Sequence, residues 1–324
     1  MRNKQNYFVG DLITDTGSGI VNKNIIRVSN ERFLYSKSNN RSNRIINLIK
    51  KINKTNIYLI SGISKENLIV IILAKIFRKK TVYLMHGSLK IENHINGDRN
   101  SKSEKIELFT LKHSDKIICV SKKFSNIIKN KYPQWENKID YSYNGVNIPY
   151  VSNQSIKKGK YNFLTVGPLN NRKHSLMVCK AISEIDNNDI VYTIVGGNGD
   201  EYNEIINYPF VKYIPCLEHK NILDEMKRTN IYIQNSIFET FGLAILEAAY
   251  CGCKLLVSNC AGALDCIDNM EDYNIIFDNN DVKEIKKKIL ILLEDDGKEQ
   301  TPNIERMSWE NTTKRLFDIL DGIK

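Results

Sequence analysis

The sequence predicts two doubly wound α/β domains in tandem, each a parallel sheet covered by helices on both faces. Three observations carry this. The chain has 324 residues, about twice the common domain size. Short apolar runs alternate with amphipathic helical segments along its whole length, the pattern of a parallel sheet. The alternation is interrupted at the polar, aperiodic stretch Pro149–Lys160, which reads as a linker.

The elements follow in order. In the first half the apolar runs place strands at Tyr7–Gly10, Phe33–Ser36, Ile57–Ser61, Thr81–Met85, Lys116–Val120 and Ile139–Tyr143. Between most of them lie segments with helical periodicity, among them Ile45–Lys51, Asn67–Phe77 and Phe124–Lys131. The second half repeats the grammar, with strands at Phe163–Val166, Val191–Val195, Val211–Ile214, Ile231–Gln234, Leu255–Ser258 and Ile275–Phe277. The result is two Rossmann-like domains, 1–152 and 153–305.

Composition narrows the class. Apolar residues make up 42% and charged residues 26%, the balance of a soluble protein with ordinary cores. The longest apolar stretch, Leu68–Phe77, is broken by Lys75 and falls short of the roughly 20 residues a membrane span needs. The start has no apolar core and no cleavage site, so no leader peptide is expected. Seven cysteines without regular spacing point to a reducing compartment. Cys251, Cys253, Cys260 and Cys266 raise a zinc question, but small buried residues are needed for packing there, and no metal is expected.

The net charge of +10 conceals an asymmetry. Residues 1–150 hold 27 Lys and Arg against 11 Asp and Glu, a balance of +16, and the remainder carries −6. A solvated basic surface would be the plain explanation. The split assigns an anionic partner to the first half, and no nucleic-acid module accompanies it.

In open parallel sheets, ligands sit beyond the carboxyl ends of the strands. The residues that stand out lie there: Asp11–Gly19, His86-Gly87 and Asn144-Gly145 in the first half, Gly167–His174 and Ser236–Gly242 in the second. That predicts a two-sided cleft. The strongest segment runs from Ser236 through Glu239, Phe241, Gly242 and Leu243 to Glu247. A helix opening at Gly242 would aim the free amides of Phe241, Gly242 and Leu243 at an anion. Glu247 is the one ionisable group of the apolar helix that follows, roughly 7 Å along its axis. A lone buried carboxylate is costly unless something bonds it; the plain reading is a pair with a nearby Lys.

Glu239 and Glu247, with Phe241-Gly242-Leu243 between them, resemble the signature of glycosyltransferase family 4. Further matches run in the family's order: Gly17-Ser18-Gly19, His86-Gly87, Val120-Ser121, Asn144-Gly145-Val146, Val166-Gly167 with Lys173, Val195–Gly199, and Ser308-Trp309-Glu310. The resemblance implies a retaining transferase of GT-B fold: two facing Rossmann-like domains with a cleft between them, and a closing helix (306–324) returning to the first. It gives Glu239 to the donor sugar, Glu247 to the ribose and the amides of 241–243 to the diphosphate. A glycine loop at Gly17–Gly19 is to help hold that diphosphate, and His86 is to lie beside the sugar. As a lone histidine, His86 would otherwise read as a core or capping residue. Lys173 matches the family's lysine; the usual arginine after Gly167 is replaced by Pro168, with Arg172 as the natural substitute.

Breaking a glycosidic phosphate bond builds charge on the diphosphate, which preorganised donors or a metal must stabilise. No Asp-x-Asp follows a strand, and the acidic run 294–296 lies in a polar loop, so Arg172, Lys173 and a helix N-terminus are expected to replace the metal. The implied function is transfer of a hexose or N-acetylhexosamine from a nucleotide sugar, UDP-sugar favoured, to a growing surface glycan on a lipid carrier. Capsule and O-antigen glycans are of this kind. The implied location is the inner face of the cytoplasmic membrane, bound peripherally through the basic half. The competing readings are a nucleotide-sugar epimerase, a transferase with a soluble or protein acceptor, and a silent nucleotide-binding subunit.

Overall fold

The computed structural model describes residues 5–14, 16–38, 40–98, 101–146, 161–294 and 300–323. The expected linker Pro149–Lys160, the boundary at 152/153 and most of the acidic run 294–296 lie outside them. The chain divides into two compact units, residues 1–145 with 305–324, and residues 146–304.

Unit 1 contains β1 (Gln5–Val9), α1 (Gly17–Val28), β2 (Phe33–Leu34), α2 (Arg41–Lys50), β3 (Thr55–Ser61) and α3 (Glu66–Ile76). It continues with β4 (Lys80–Met85), α4 (Leu89–Asn96), α5 (Ser101–His113), β5 (Lys116–Cys119), α6 (Lys122–Lys131) and β6 (Ile139–Tyr141). The six strands form one sheet in the order β2-β1-β3-β4-β5-β6, and every pair is parallel. The inner strands are buried on both sides, with Ile57–Ser61, Thr81–Met85 and Ile117–Cys119 withdrawn from solvent. That is why they read as unbroken apolar runs rather than alternating ones.

Unit 2 contains β7 (Asn162–Val166), α7 (Ser175–Ser183), β8 (Val191–Val195), α8 (Tyr202–Ile205), β9 (Val211–Ile214), α9 (His219–Arg228) and β10 (Ile231–Gln234). Then come α10 (Leu243–Tyr250), β11 (Lys254–Ser258), β12 (Ile267–Asp268), β13 (Ile275–Ile276), α11 (Val282–Glu294) and β14 (Thr301–Pro302). Its parallel sheet has the order β13-β11-β10-β7-β8-β9. Phe163, Tyr192, Ile194, Ile231, Ile233 and Leu256 lie at the centre of its core. A two-stranded antiparallel pair, β12 with β14, stands apart and was not among the expected strands.

The last helix, α12 (Trp309–Asp321), belongs to unit 1. Ser308 caps it by accepting from the Asn311 amide at 3.0 Å. Its Phe317 ring stacks on Phe33 at 5.0 Å, and Arg32 lies 3.5 Å over the same ring.

Strand order fixes where each sheet changes direction. In unit 1 the chain goes from β1 to β2 on one side and then returns to β3 on the other. In unit 2 it goes from β7 to β8 and β9, then crosses to β10. Such switch points leave a crevice beyond the carboxyl ends of the two central strands. They select the segments after β1 and β3, and after β7 and β10.

Candidate functional site

In unit 2 the switch point brings together the segment Gly167–His174 and the segment Ser236–Gly242. Gly167 takes φ +149°, and a Cβ there would stand 2.7 Å from Cε of Lys173. The lysine stem therefore lies across a bare glycine, and a side chain there would be strained and would displace the lysine. Lys173 Nζ donates to Oε2 of Glu239 at 2.8 Å. Arg172 donates to the Phe238 carbonyl at 3.1 Å and stands 3.8 Å from the same carboxylate oxygen. Gln234, the last residue of β10, donates to that oxygen at 2.9 Å and accepts from the Tyr232 hydroxyl at 2.9 Å.

Burial by itself would raise the Glu239 pKa. The charges of Lys173 and Arg172, the lysine hydrogen bond and the Phe241 amide outweigh it and hold the group below the usual carboxylate range. Glu239 is thus an anion held between two cations. Arg172, the residue expected to substitute for the arginine missing at Pro168, lies beside the same carboxylate as Lys173.

Gly242 adopts φ +100° at the N-cap of α10, where a Cβ would meet Ile245 Cδ1 at 2.6 Å. The three amides expected to form one anion site divide, because the Phe241 amide donates to Glu239 instead. Gly242 and Leu243 remain at the positive end of the helix. Glu247 lies one turn further on, its side chain 15% exposed. Its partner is His219 Nε2 at 2.8 Å and not the lysine of the plain reading. Nor is α10 buried all round: Leu243, Ala244, Glu247 and Tyr250 form a half-buried stripe.

In unit 1, His86 follows β4 and takes part in a chain of hydrogen bonds. Asn22 Nδ2 donates to the Asp11 carbonyl at 2.9 Å. Its Oδ1 accepts from Ser61 Oγ at 2.6 Å, and Ser61 Oγ meets His86 Nε2 at 2.7 Å. The one hydroxyl proton of Ser61 goes to Asn22, so Nε2 carries the histidine proton. Burial pulls the His86 pKa down to about 4, and the ring is neutral at pH 7. A hollow of about 440 Å³ is lined by Asp11, Thr14, Ser18, Asn22 and Asn67 among others, and it reaches Ser61, the partner of His86.

Gly17 and Gly19 do not form a loop. They are the first turn of α1, because Thr16 caps the helix by accepting from the Gly19 amide at 3.2 Å. A Cβ on Gly19 would fall 2.3 Å from the Thr14 carbonyl, whereas nothing stands within 4 Å of one on Gly17. The motifs at Asn144–Val146 and Ser308–Glu310 meet in space: a Cβ on Gly145 would strike the Trp309 ring at 2.4 Å.

Cys251 and Cys253 are buried, with their thiols on the carbonyls of Leu223 and Met226. Among the described residues no three His, Cys, Asp or Glu side chains are grouped to hold a metal ion. Gln234 and His219 were missed in the sequence. Each had a signal: a polar residue closing an apolar strand, and a histidine opening the helix after a strand.

The chain is similar to known proteins in sequence and in fold. Residues 10–149 match the family model Glycosyltransferase Family 4, and residues 150–314 match Glycosyl transferases group 1. An N,N′-diacetylbacillosaminyl-diphospho-undecaprenol α-1,3-N-acetylgalactosaminyltransferase of Campylobacter jejuni is 28% identical over 109 residues, 32% of this chain and 28% of that protein. A UDP-Gal:α-D-GlcNAc-diphosphoundecaprenol α-1,3-galactosyltransferase of Escherichia coli is 27% identical over 239 residues, 67% of this chain and 60% of that one. The chain thus aligns with less than two thirds of the length of either. The fold is shared with Anabaena HepE, solved with UDP and glucose, at a TM-score of 0.70 and 14% identity, covering 98% of this chain and 100% of that one. It is also shared with a lipopolysaccharide outer core galactosyltransferase in its apo form, at 0.69 and 15%, covering 99% and 100%. Matched by both models along nearly its whole length, the chain belongs to the GT-B glycosyltransferases of family 4.

Proposed function

We propose that this protein moves a hexose or N-acetylhexosamine from a nucleotide diphosphate sugar, with a UDP-sugar favoured, to a growing surface glycan on a lipid diphosphate. The observation that carries the donor half is the convergence of Lys173, Arg172 and Glu239 over Gly167 at the switch point of unit 2. In this reading Glu247 takes the ribose hydroxyls, and the Gly242 and Leu243 amides take the diphosphate. Glu239 contacts the sugar. As the anomeric C–O bond to phosphate breaks, negative charge grows on the departing diphosphate. Lys173, Arg172 and the helix end stabilise it without a metal. The acceptor hydroxyl forms the new bond to C1 with retention, and the departing phosphate oxygen takes its proton. In this reading His86 keeps the role of the matching family histidine.

The acceptor half rests on the two relatives, whose names specify sugars on diphosphoundecaprenol, and on the basic first half of the chain. No helix among the described residues is long and apolar enough to cross a membrane, so such an acceptor would be met at the bilayer surface. Two helices of unit 1 carry exposed apolar side chains next to basic ones. On α2 Ile46 and Ile49 are open to solvent beside Lys50, and at the end of α3 Ile72, Ile76 and Phe77 are open beside Lys75 and Arg78. Phe124, next to Lys122 and Lys123, is fully buried and takes no part in such a surface. A basic surface with exposed isoleucines suits an anionic bilayer.

The test is calorimetry with UDP-, GDP- and ADP-sugars, followed by a transfer assay onto a polyprenyl-diphosphate sugar. Glu247→Ala is expected to weaken nucleotide binding, and Glu239→Ala mainly to slow transfer. Absence of binding to every nucleotide sugar would sink the reading.

A further inference from the structure

His219 opens α9, and Glu247 lies one turn into α10, the helix packed beside it. The 2.8 Å contact between His219 Nε2 and Glu247 Oε1 is the one bond that this carboxylate makes among the described residues. An ionised carboxylate only accepts, so Nε2 donates. The other residues of α10 are Leu243, Ala244, Ile245, Leu246, Ala248, Ala249 and Tyr250. Of these only Tyr250, at the far end, has a polar side chain, and it makes no bond to Glu247. Orientation of the carboxylate therefore comes from the neighbouring helix. One oxygen is tied down and Oε2 is left unbonded.

An ordinary half-exposed ion pair would add little to stability and would not care which sugar a nucleotide carries. This pair differs in where it sits. Its carboxylate is 15% exposed while the histidine is 53% exposed, so the imidazole braces the acid from the solvent side. Binding a vicinal diol needs both acceptor oxygens in one fixed plane, and a glutamate with three free torsions gains affinity when that plane is set beforehand.

We propose that His219 is a positioning residue that holds the Glu247 carboxylate for a ribose diol and so makes the site prefer ribonucleotides over 2′-deoxyribonucleotides. The inference rests on the ribose role proposed for Glu247, and its test separates the two.

The measurement is calorimetric affinity for the tightest of UDP, GDP and ADP against its 2′-deoxy counterpart, in the wild type, His219→Ala, His219→Gln and Glu247→Ala. Melting temperatures are followed in parallel. The wild type should prefer the ribonucleotide by about tenfold or more, the worth of a hydrogen bond to a charged group. His219→Ala should lose most of that preference by weakening the ribonucleotide alone, with the 2′-deoxy ligand within about twofold of wild type. His219→Gln, whose amide nitrogen can occupy the place of Nε2, should restore it. If His219→Ala keeps the preference while Glu247→Ala abolishes it, the positioning role is overturned and the ribose role stands. If Glu247→Ala also keeps the preference, the ribose role fails and this inference with it. Equal weakening of both nucleotides in His219→Ala would mark the histidine as merely structural and overturn the proposal.

Discussion

Lys173 Nζ and Glu239 Oε2 stand 2.8 Å apart at the centre of the unit 2 site, and Arg172 flanks the same oxygen at 3.8 Å. One carboxylate thus holds two cations side by side before any ligand arrives. Two cations close together repel, and the glutamate offsets that repulsion while keeping both at the crevice.

Lys173→Ala is expected to lower kcat/KM by about 30- to 1000-fold, roughly 2–4 kcal/mol, as for the loss of one preorganised donor. It should destabilise the fold by about 2 kcal/mol. Removal of one partner of a buried pair costs about 3–5 kcal/mol, but here Arg172 remains. The double variant Lys173→Met, Glu239→Gln separates the effects: denaturation should show stability recovered, with turnover still lost. A double variant that regained activity would assign the pair to structure alone.

Transfer should continue in EDTA, because the charge on the departing diphosphate is assigned to Arg172, Lys173 and the α10 end. The readout is initial rate before and after chelation. Loss of activity rescued by magnesium or manganese would overturn the assignment.

His86 gives a pH prediction. Its folded pKa, about 4, lies below the ordinary histidine value of 6.5. The unfolded chain therefore binds a proton that the folded one refuses, and stability falls as the pH drops from about 6.5 to about 4. The loss from this group amounts to at most ~3 kcal/mol. Urea titrations of the wild type and His86→Gln at pH 7, 5.5 and 4 should show a shallower decline in the variant. Identical slopes would show that the folded ring takes up its proton at the same pH as in the unfolded chain.

Vesicle sedimentation tests the bilayer face. Binding to anionic but not neutral vesicles is expected, weakening as salt shortens the screening length. Arg78→Glu with Ile76→Asp should reduce it about tenfold or more. Arg78 is the better site for reversal than Lys80, which is already held by Asp115 at 3.1 Å. Lys122→Glu with Lys123→Glu should matter less, because Phe124 is turned inward. Equal recovery in the supernatant with both vesicle types would favour a soluble acceptor.

The strands were legible because an inner parallel strand is buried on both faces and must be apolar throughout. Val191–Val195 and Ile231–Gln234, both inner strands, fall where the sequence placed them. The β12–β14 pair was not legible, since two residues are too few to show a period. Within the site, chemistry that depends on local order could be read: the glycine at the N-cap of α10 and the carboxylate one turn later. What depended on distant parts of the chain could not. The partner of Glu247 comes from another helix, the Phe241 amide turned to Glu239 because that carboxylate lay nearer, and Thr16 drew the glycines after it into a helix.

The Trp309 ring fills the space over Gly145 that any side chain would occupy, and Ser142 and Tyr143 share hydrogen bonds with Thr312. Both contacts join the end of the first stretch of unit 1 to a helix that follows residue 304, after all of unit 2. During synthesis the ribosome must therefore make unit 2 before unit 1 can receive its last helix. At about 5–20 residues per second that delay is on the order of ten seconds. Throughout it Phe33, Gly145 and the flank of α1 that α12 covers would be bare. The order of completion is thus inverted: the domain begun first is finished last, and it is the one with exposed apolar surface to shelter in the meantime.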